Sequence, residues 1–360
     1  MIARAAVVFL LLAATAAADG WVIFKGQVNG PVKAPGGVNP AAFALKHYPG
    51  LFWTEAYYHH MNFPDGSMVT VSIGLDRNEV NVAFVYGKTG IKPYKDFIIA
   101  DVDDLKLDAK GFGFSIGANR IRLAGNKYTL DLALPKTRAK IEYDIIGPSY
   151  NYGDNLVRYP DGDTFMFYNL PISWARVKVT MVLDGREVKL EGSGDMNHDA
   201  GVIFPGYVPL RWRVFWFFGP DHTLAMTENN SSPKFGSRLS QRLVFVDQAG
   251  HMFTSTSYQL KWEDWEQARG IPFRYPRKYT LVAEGQGAQL KLVVSVKEKL
   301  LMEDLYSNLP VALRLVVERL IDNAWTMDHW SQYTLTYSHD GQTETFQGRG
   351  ITRWTSQEEK

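Results

Sequence analysis

Apolar and polar residues alternate with period two along most of the chain, and this pattern constrains the fold more than any other feature. Tyr128, Leu130, Leu132 and Leu134 alternate with Thr129, Asp131 and Ala133. Val177, Val179, Met181 and Leu183 alternate with Lys178, Thr180 and Val182. Leu290, Leu292, Val294 and Val296 repeat the pattern, as do Tyr333, Leu335 and Tyr337. Successive strand side chains point to opposite faces, so each run reads as a half-buried antiparallel strand. Turn pairs separate the runs at Asp65-Gly66, Gly125-Asn126, Asp161-Gly162, Asp184-Gly185 and Asp340-Gly341. No strand–helix–strand alternation and no Gly-rich phosphate loop is present. The expected fold class is all-β, a sandwich or barrel by its strand spacing, with halves each long enough for one barrel, so that two antiparallel barrels or half-barrels in tandem are expected. The expected division follows the Asp161-Gly162 turn, giving one barrel over 19–165 and another over 166–360.

One segment departs from the alternation. Leu309, Leu313, Val316, Val317, Leu320, Ile321 and Ala324 recur at helical spacing, with Pro310 suited to a first turn. The spacing predicts an amphipathic helix over 310–324, of about four turns. Such a helix packs on a barrel wall or serves as a lid or membrane-surface contact.

The N-terminus reads as an export signal. Arg4 supplies the positive end, Ala5–Ala14 the apolar core, and Ala16-Ala17-Ala18 a small-residue cleavage site before Asp19. Cleavage after Ala18 predicts a periplasmic or secreted protein. The chain contains no cysteine, which removes disulfides, thiolate metal sites and a Cys nucleophile. Lys and Arg number 39 against 38 Asp and Glu, without a long run of one sign, which argues against a nucleic-acid partner. The 10 Trp and 18 Tyr suit an aromatic-lined cavity or a β-rich core.

Three constellations carry candidate chemistry. Along Trp53–His60, strand geometry puts Trp53, Glu55, Tyr57 and His59 on one face and Thr54, Ala56, Tyr58 and His60 on the other. An acid among aromatics on an inward face binds a ligand headgroup or donates a proton, and burial raises its pKa. His59 and His60 point apart, so they do not jointly hold a metal. Gly192–Gly201 brings Asp195, His198 and Asp199 together in a polar stretch that interrupts the apolar pattern, as acid/base groups or as a polar strand end. Arg211–Phe218 alternates Trp212, Val214, Trp216 and Phe218 with Arg211, Arg213, Phe215 and Phe217, the pattern of a strand buried on both sides with Arg stacked on Trp. Trp262 and Trp265 are expected in a loop at a barrel mouth or as a plug. No metal and no cofactor is expected.

Thr54-Glu55-Ala56-Tyr57-Tyr58 resembles the acid-and-aromatics strand of the lipocalin-like two-barrel superfamily, which holds carotenoid hydratases, AttH-type proteins and fungal survival-factor proteins. Phe167-Tyr168-Asn169-Leu170-Pro171, the strand through Asp184-Gly185 and the stretch Gly192–Gly201 resemble its interdomain region. Pro205–Phe218 and Ser231–Ser237 resemble the survival-factor branch. The resemblance implies two lipocalin-like barrels. The hydratase pattern of Asp-His followed by Trp-Gly is kept only at His198 and Gly201, with Asn197 and Ala200 at the other positions. An amide does not donate a proton as a carboxylic acid does.

The leading expectation is therefore an exported carrier of a hydrophobic lipid or isoprenoid, with Glu55, Tyr57, His59 and His198 orienting a headgroup and Trp53, Tyr168, Trp212 and Trp216 forming walls. The alternatives are a hydratase or cyclase taking its acid from Glu55, Asp195, His198 or Asp199, and a non-catalytic module of the cell envelope.

Overall fold

A computed structural model describes residues 30–33, 38–45, 53–76, 78–108, 113–151, 166–202, 211–230, 239–269, 274–304 and 324–357. The described chain is all-β and forms two curled antiparallel sheets. The strands are numbered in chain order. β1 (Gly30–Lys33) belongs to the second sheet. The first sheet holds β2 (Trp53–Asn62), β3 (Ser67–Asp76), β4 (Glu79–Lys88), β5 (Ile91–Asp101), β6 (Leu105–Leu107), β7 (Gly113–Ile116) and β8 (Asn119–Ala124). It continues with β9 (Lys127–Ala133), β10 (Thr137–Ile145), β11 (Tyr150–Asn151), β12 (Met166–Leu183) and β13 (Arg186–Val202). The second sheet adds β14 (Arg211–Phe218), β15 (His222–Asn230), β16 (Leu239–Asp247), β17 (His251–Ser255) and β18 (Gln259–Gln267). It ends with β19 (Arg274–Gly285), β20 (Ala288–Asp304), β21 (Ala324–His339) and β22 (Gln342–Gln357).

The alternation decides the faces. Val177, Val179 and Met181 point into one core with Tyr128, Leu130 and Ile141. Leu290, Leu292, Val294, Tyr333 and Leu335 point into the other. Asp184-Gly185 and Asp340-Gly341 form turns, as the sequence marks. Asp184 and Gly185 have φ of 48° and 79°, and Asp340 and Gly341 have 50° and 76°. Two successive left-handed residues match the twist of the flanking strands, and Gly fills the second position without strain.

The division of the chain differs from the expected one. The long hairpin β12–β13 completes the first sheet, with β13 pairing β2. The change of sheet falls between Val202 and Arg211, not at 165/166. β1 also crosses over to pair β17, so the N-terminal segment completes the second sheet. The turn signal at Asp161-Gly162 and the expected leader at 1–18 lie outside the described residues. So does 310–323 of the expected helix, while Ala324 opens β21.

The two sheets meet along a buried, largely apolar seam. Met68 of β3 packs with Val214, Trp216, Leu300, Leu301, Trp330 and Ile351 of the second sheet. Leu170 packs with Val244, Val246 and Met252. Hydrogen bonds cross it as well: Trp330 Nε1 donates to the Gly66 carbonyl at 2.6 Å, and Asn62 Nδ2 to the Trp216 carbonyl at 3.2 Å.

Candidate functional site

β2 and β13 pair so that Tyr57 lies opposite His198 and His60 opposite Asp195. The period of two then sends these residues to two faces, and the titratable groups divide into two sites.

The inner site lies in the first barrel. Glu55, Tyr57, His59 and His198 are each fully buried. His198 Nε2 lies 2.5 Å from Glu55 Oε1. Its Nδ1 lies 2.8 Å from the Ala42 carbonyl, an acceptor, so Nδ1 carries a proton. Tyr57 lies flat on the His198 ring at 4.2 Å and donates to the Phe43 carbonyl at 3.0 Å. These contacts tie the short turn Pro40–Ala42 to the barrel wall. His59 Nδ1 donates to the Val71 carbonyl at 3.0 Å, and Nε2 accepts from the Tyr128 hydroxyl at 2.9 Å. Burial lowers the His59 pKa to about 3, so the ring is neutral. The sequence put Glu55, Tyr57 and His59 on one face of a strand, and the structure brings His198 of β13 to the same face. The network spends its hydrogen bonds on the fold itself, as a buried polar cluster must.

The outer site lies in the seam. His60 Nδ1 is 2.9 Å from Asp195 Oδ1, and both residues are buried. Burial pushes the Asp195 carboxyl well above its usual range. Burial, reinforced by Arg353, pushes His60 well below its own, with Asp328 opposing. Both shifts favour a neutral carboxylic acid beside a neutral imidazole. The second carboxyl oxygen, Oδ2, is buried without a hydrogen-bond partner. Trp174 sits in the bulge of β12 that faces Asp195, and its Nε1 is likewise buried without a partner. Across the seam, the Trp216 indole covers His60 with ring centroids 3.9 Å apart. Arg353 stands over the same indole at 5.1 Å and holds Asp328 through two bonds of 2.7 Å. Trp212 Nε1 and Asn62 Oδ1 add two further buried polar atoms without partners.

The remaining sequence candidates divide as follows. Asp199 lies on the outer face, where burial raises its pKa to about 7 and Arg242 of the second sheet pulls it down. It is not part of the His60–Asp195 pair. Gly192–Gly201 is no interruption: it is continuous strand within β13. Trp212 and Trp216 face the seam, not a barrel interior. The Trp53 and Tyr168 side chains lie outside the described residues, although their backbones pair Val202 and Asp199. Trp262 and Trp265 are in strand β18, not in a loop or plug. Trp262 and Trp354 flank Arg213, whose guanidinium carbon is 4.4 Å from each ring. Among the described residues, no group of three or more His, Asp or Glu is placed to hold a metal ion.

The sequence reading missed Asp328, Arg353, Trp174 and the partner of His60. Two of these were accessible. Counting back from the Asp340-Gly341 turn pairs His339 with Gln342 and, without a bulge, Asp328 with Arg353.

No family model and no curated protein matches this chain. Solved structures do. CghA, solved with Sch210972, superposes with a TM-score of 0.64 at 11% identity, covering 92% of this chain and 98% of CghA. An AttH-type protein from Nitrosomonas europaea gives 0.55 at 12% identity, covering 90% of this chain and 100% of that one. Kievitone hydratase from Nectria haematococca gives 0.51 at 11%, covering 92% and 98%. The two-sheet architecture extends over nearly the whole length of each, and this chain has the lipocalin-like two-barrel fold of the hydratase and AttH-type proteins.

Proposed function

We propose that the protein is an acid catalyst acting on an apolar, isoprenoid-like or polycyclic molecule held in the seam between the two sheets, as a hydratase or cyclase. The observation that carries this reading is the buried Asp195 carboxyl, whose pKa burial raises well above its usual range, with one oxygen on His60 and the other unpartnered. His60 Nδ1–H donates to Oδ1, which leaves the carboxyl proton on Oδ2, directed at a ligand. That proton adds to an alkene carbon, and the electron pair of the double bond forms the new C–H bond. The adjacent carbon becomes cationic. Water, or a second double bond of the same molecule, supplies electrons to the cation. The proton then released returns to the Asp195 carboxylate, so the acid is regenerated. The kievitone hydratase likeness in fold is compatible with this chemistry but is analogy alone.

The test is mass spectrometry of the native protein from its own cells, followed by extraction of what co-purifies. The extracted compound is returned to the protein in D2O. One non-exchangeable deuterium per product is expected, with Asp195→Asn still binding the compound and incorporating none. A compound bound by both proteins and changed by neither overturns catalysis and leaves a carrier. A protein that co-purifies empty and takes up no 1-anilinonaphthalene-8-sulfonate overturns both.

A further inference from the structure

The inner face of the second barrel carries polar groups that the seam chemistry does not use. His329 is 2% exposed, and neither of its ring nitrogens has a hydrogen-bond partner. It lies on β21, where Asp328 faces the seam and His329 the opposite side. Tyr275 of β19 stacks on its ring at 4.7 Å. Opposite it on β22 is Thr352, and two residues along the same face is Trp354, 3% exposed, whose Nε1 also lacks a partner. Three polar atoms of one inner surface are thus buried and unanswered, which a well-packed core does not tolerate without a ligand or water.

The groups specify the chemistry of an occupant. Burial lowers His329 to about 4, so at neutral pH the ring offers one donor and one acceptor. Trp354 adds a second donor. A hydroxyl group donates to the unprotonated ring nitrogen and accepts from Trp354 Nε1, and so answers two of the three atoms. Arg213 and Glu228 beside Trp354 pair with each other, and Arg277 and Glu266, whose charges act on His329, pair likewise, so the surface does not call for a charged ligand. Tyr275, Tyr279, Trp262 and Trp354 form an aromatic wall that suits a flat ring.

We propose that this inner face is a second binding site, taking an uncharged, hydroxyl-bearing aromatic ring whose hydroxyl bonds His329 and Trp354. The site is separate from the seam, because the two occupy opposite faces of β21 and β22.

The probe is 2-naphthol, a neutral phenol at pH 7, titrated into the intact protein labelled with nitrogen-15 at histidine. The His329 signals are assigned by their loss in His329→Phe. The expected result is saturable binding that shifts both His329 ring-nitrogen signals and leaves those of His60 in place. Tryptophan energy transfer to the naphthol reads the same binding, and His329→Phe lowers the affinity at least ~10-fold, the loss of about one hydrogen bond. Binding without a His329 shift overturns the proposal, as does equal affinity in His329→Phe. Absence of binding also overturns it and assigns the unanswered atoms to buried water. If His329→Phe does not fold, His329→Gln supplies the assignment, and the wild-type shifts alone decide.

Discussion

The His60 imidazole lies on the Trp216 indole with ring centroids 3.9 Å apart, although the two residues belong to different sheets. The contact binds the Asp195 acid to the second half of the molecule. Arg353 stands over the same indole and is itself held by Asp328, so one tryptophan gathers both ionisable pairs at the seam.

Trp216 is 3% exposed and is therefore the residue whose truncation should open the seam. Trp216→Ala removes a large buried side chain and is expected to cost about 3–5 kcal/mol. Urea unfolding followed by circular dichroism measures it. A loss below about 1 kcal/mol would mean that the two sheets are not held by this contact.

The inner Glu55–His198 pair is expected to serve stability rather than turnover. Glu55→Leu strands a buried imidazole and should cost about 3–5 kcal/mol, whereas Glu55→Leu with His198→Leu should recover part of that. A double-mutant cycle reads the coupling. Additive losses would show that the two side chains do not act as a pair.

His59 gives the fold a defined acid sensitivity. Its pKa is lowered from 6.5 to about 3 by burial, so the unfolded chain binds a proton that the folded chain refuses. Its contribution to stability is complete above about pH 6.5 and is lost as pH falls towards 3, at ~1.4 kcal/mol per pH unit. His59→Gln should flatten this slope in urea titrations between those limits. An unchanged slope would assign the acid sensitivity to other groups.

Arg213, sandwiched at 4.4 Å from Trp262 and at 4.4 Å from Trp354, is not replaceable by lysine. A planar guanidinium stacks on both rings and reaches Glu228, whereas an ammonium is a strongly hydrated point charge. Arg213→Lys is expected to destabilise by about 2 kcal/mol and to shift the tryptophan emission of the second barrel. Thermal unfolding with fluorescence detection checks both, and an unshifted melt would reject the stacking argument.

Much of the fold is legible in the alternation. The inward sets Tyr128–Leu134, Val177–Leu183, Leu290–Val296 and Tyr333–Tyr337 are those of the two cores. The common face of Glu55, Tyr57 and His59 also follows from period alone. The domain division was not legible, because a hairpin with alternating faces completes either neighbouring sheet equally well. β12 and β13 are fixed to the first sheet only by the pairing of β13 with β2.

The sequence by itself determined the strands and faces of the clearly alternating runs and, through two-residue turns, the register of neighbouring strands such as β21 and β22. These are local properties, set by the two-residue repeat of the strand and by turn geometry. Only the tertiary structure decided that His60 meets Asp195 and that Trp216 covers His60. His60 and Asp195 are 135 residues apart, and no turn joins their strands to fix a register. Their pairing depends on closing the first sheet and docking the second against it, where burial of apolar surface outweighs local preference. The same docking buries Asp195, and that burial raises its pKa well above the usual carboxylate range.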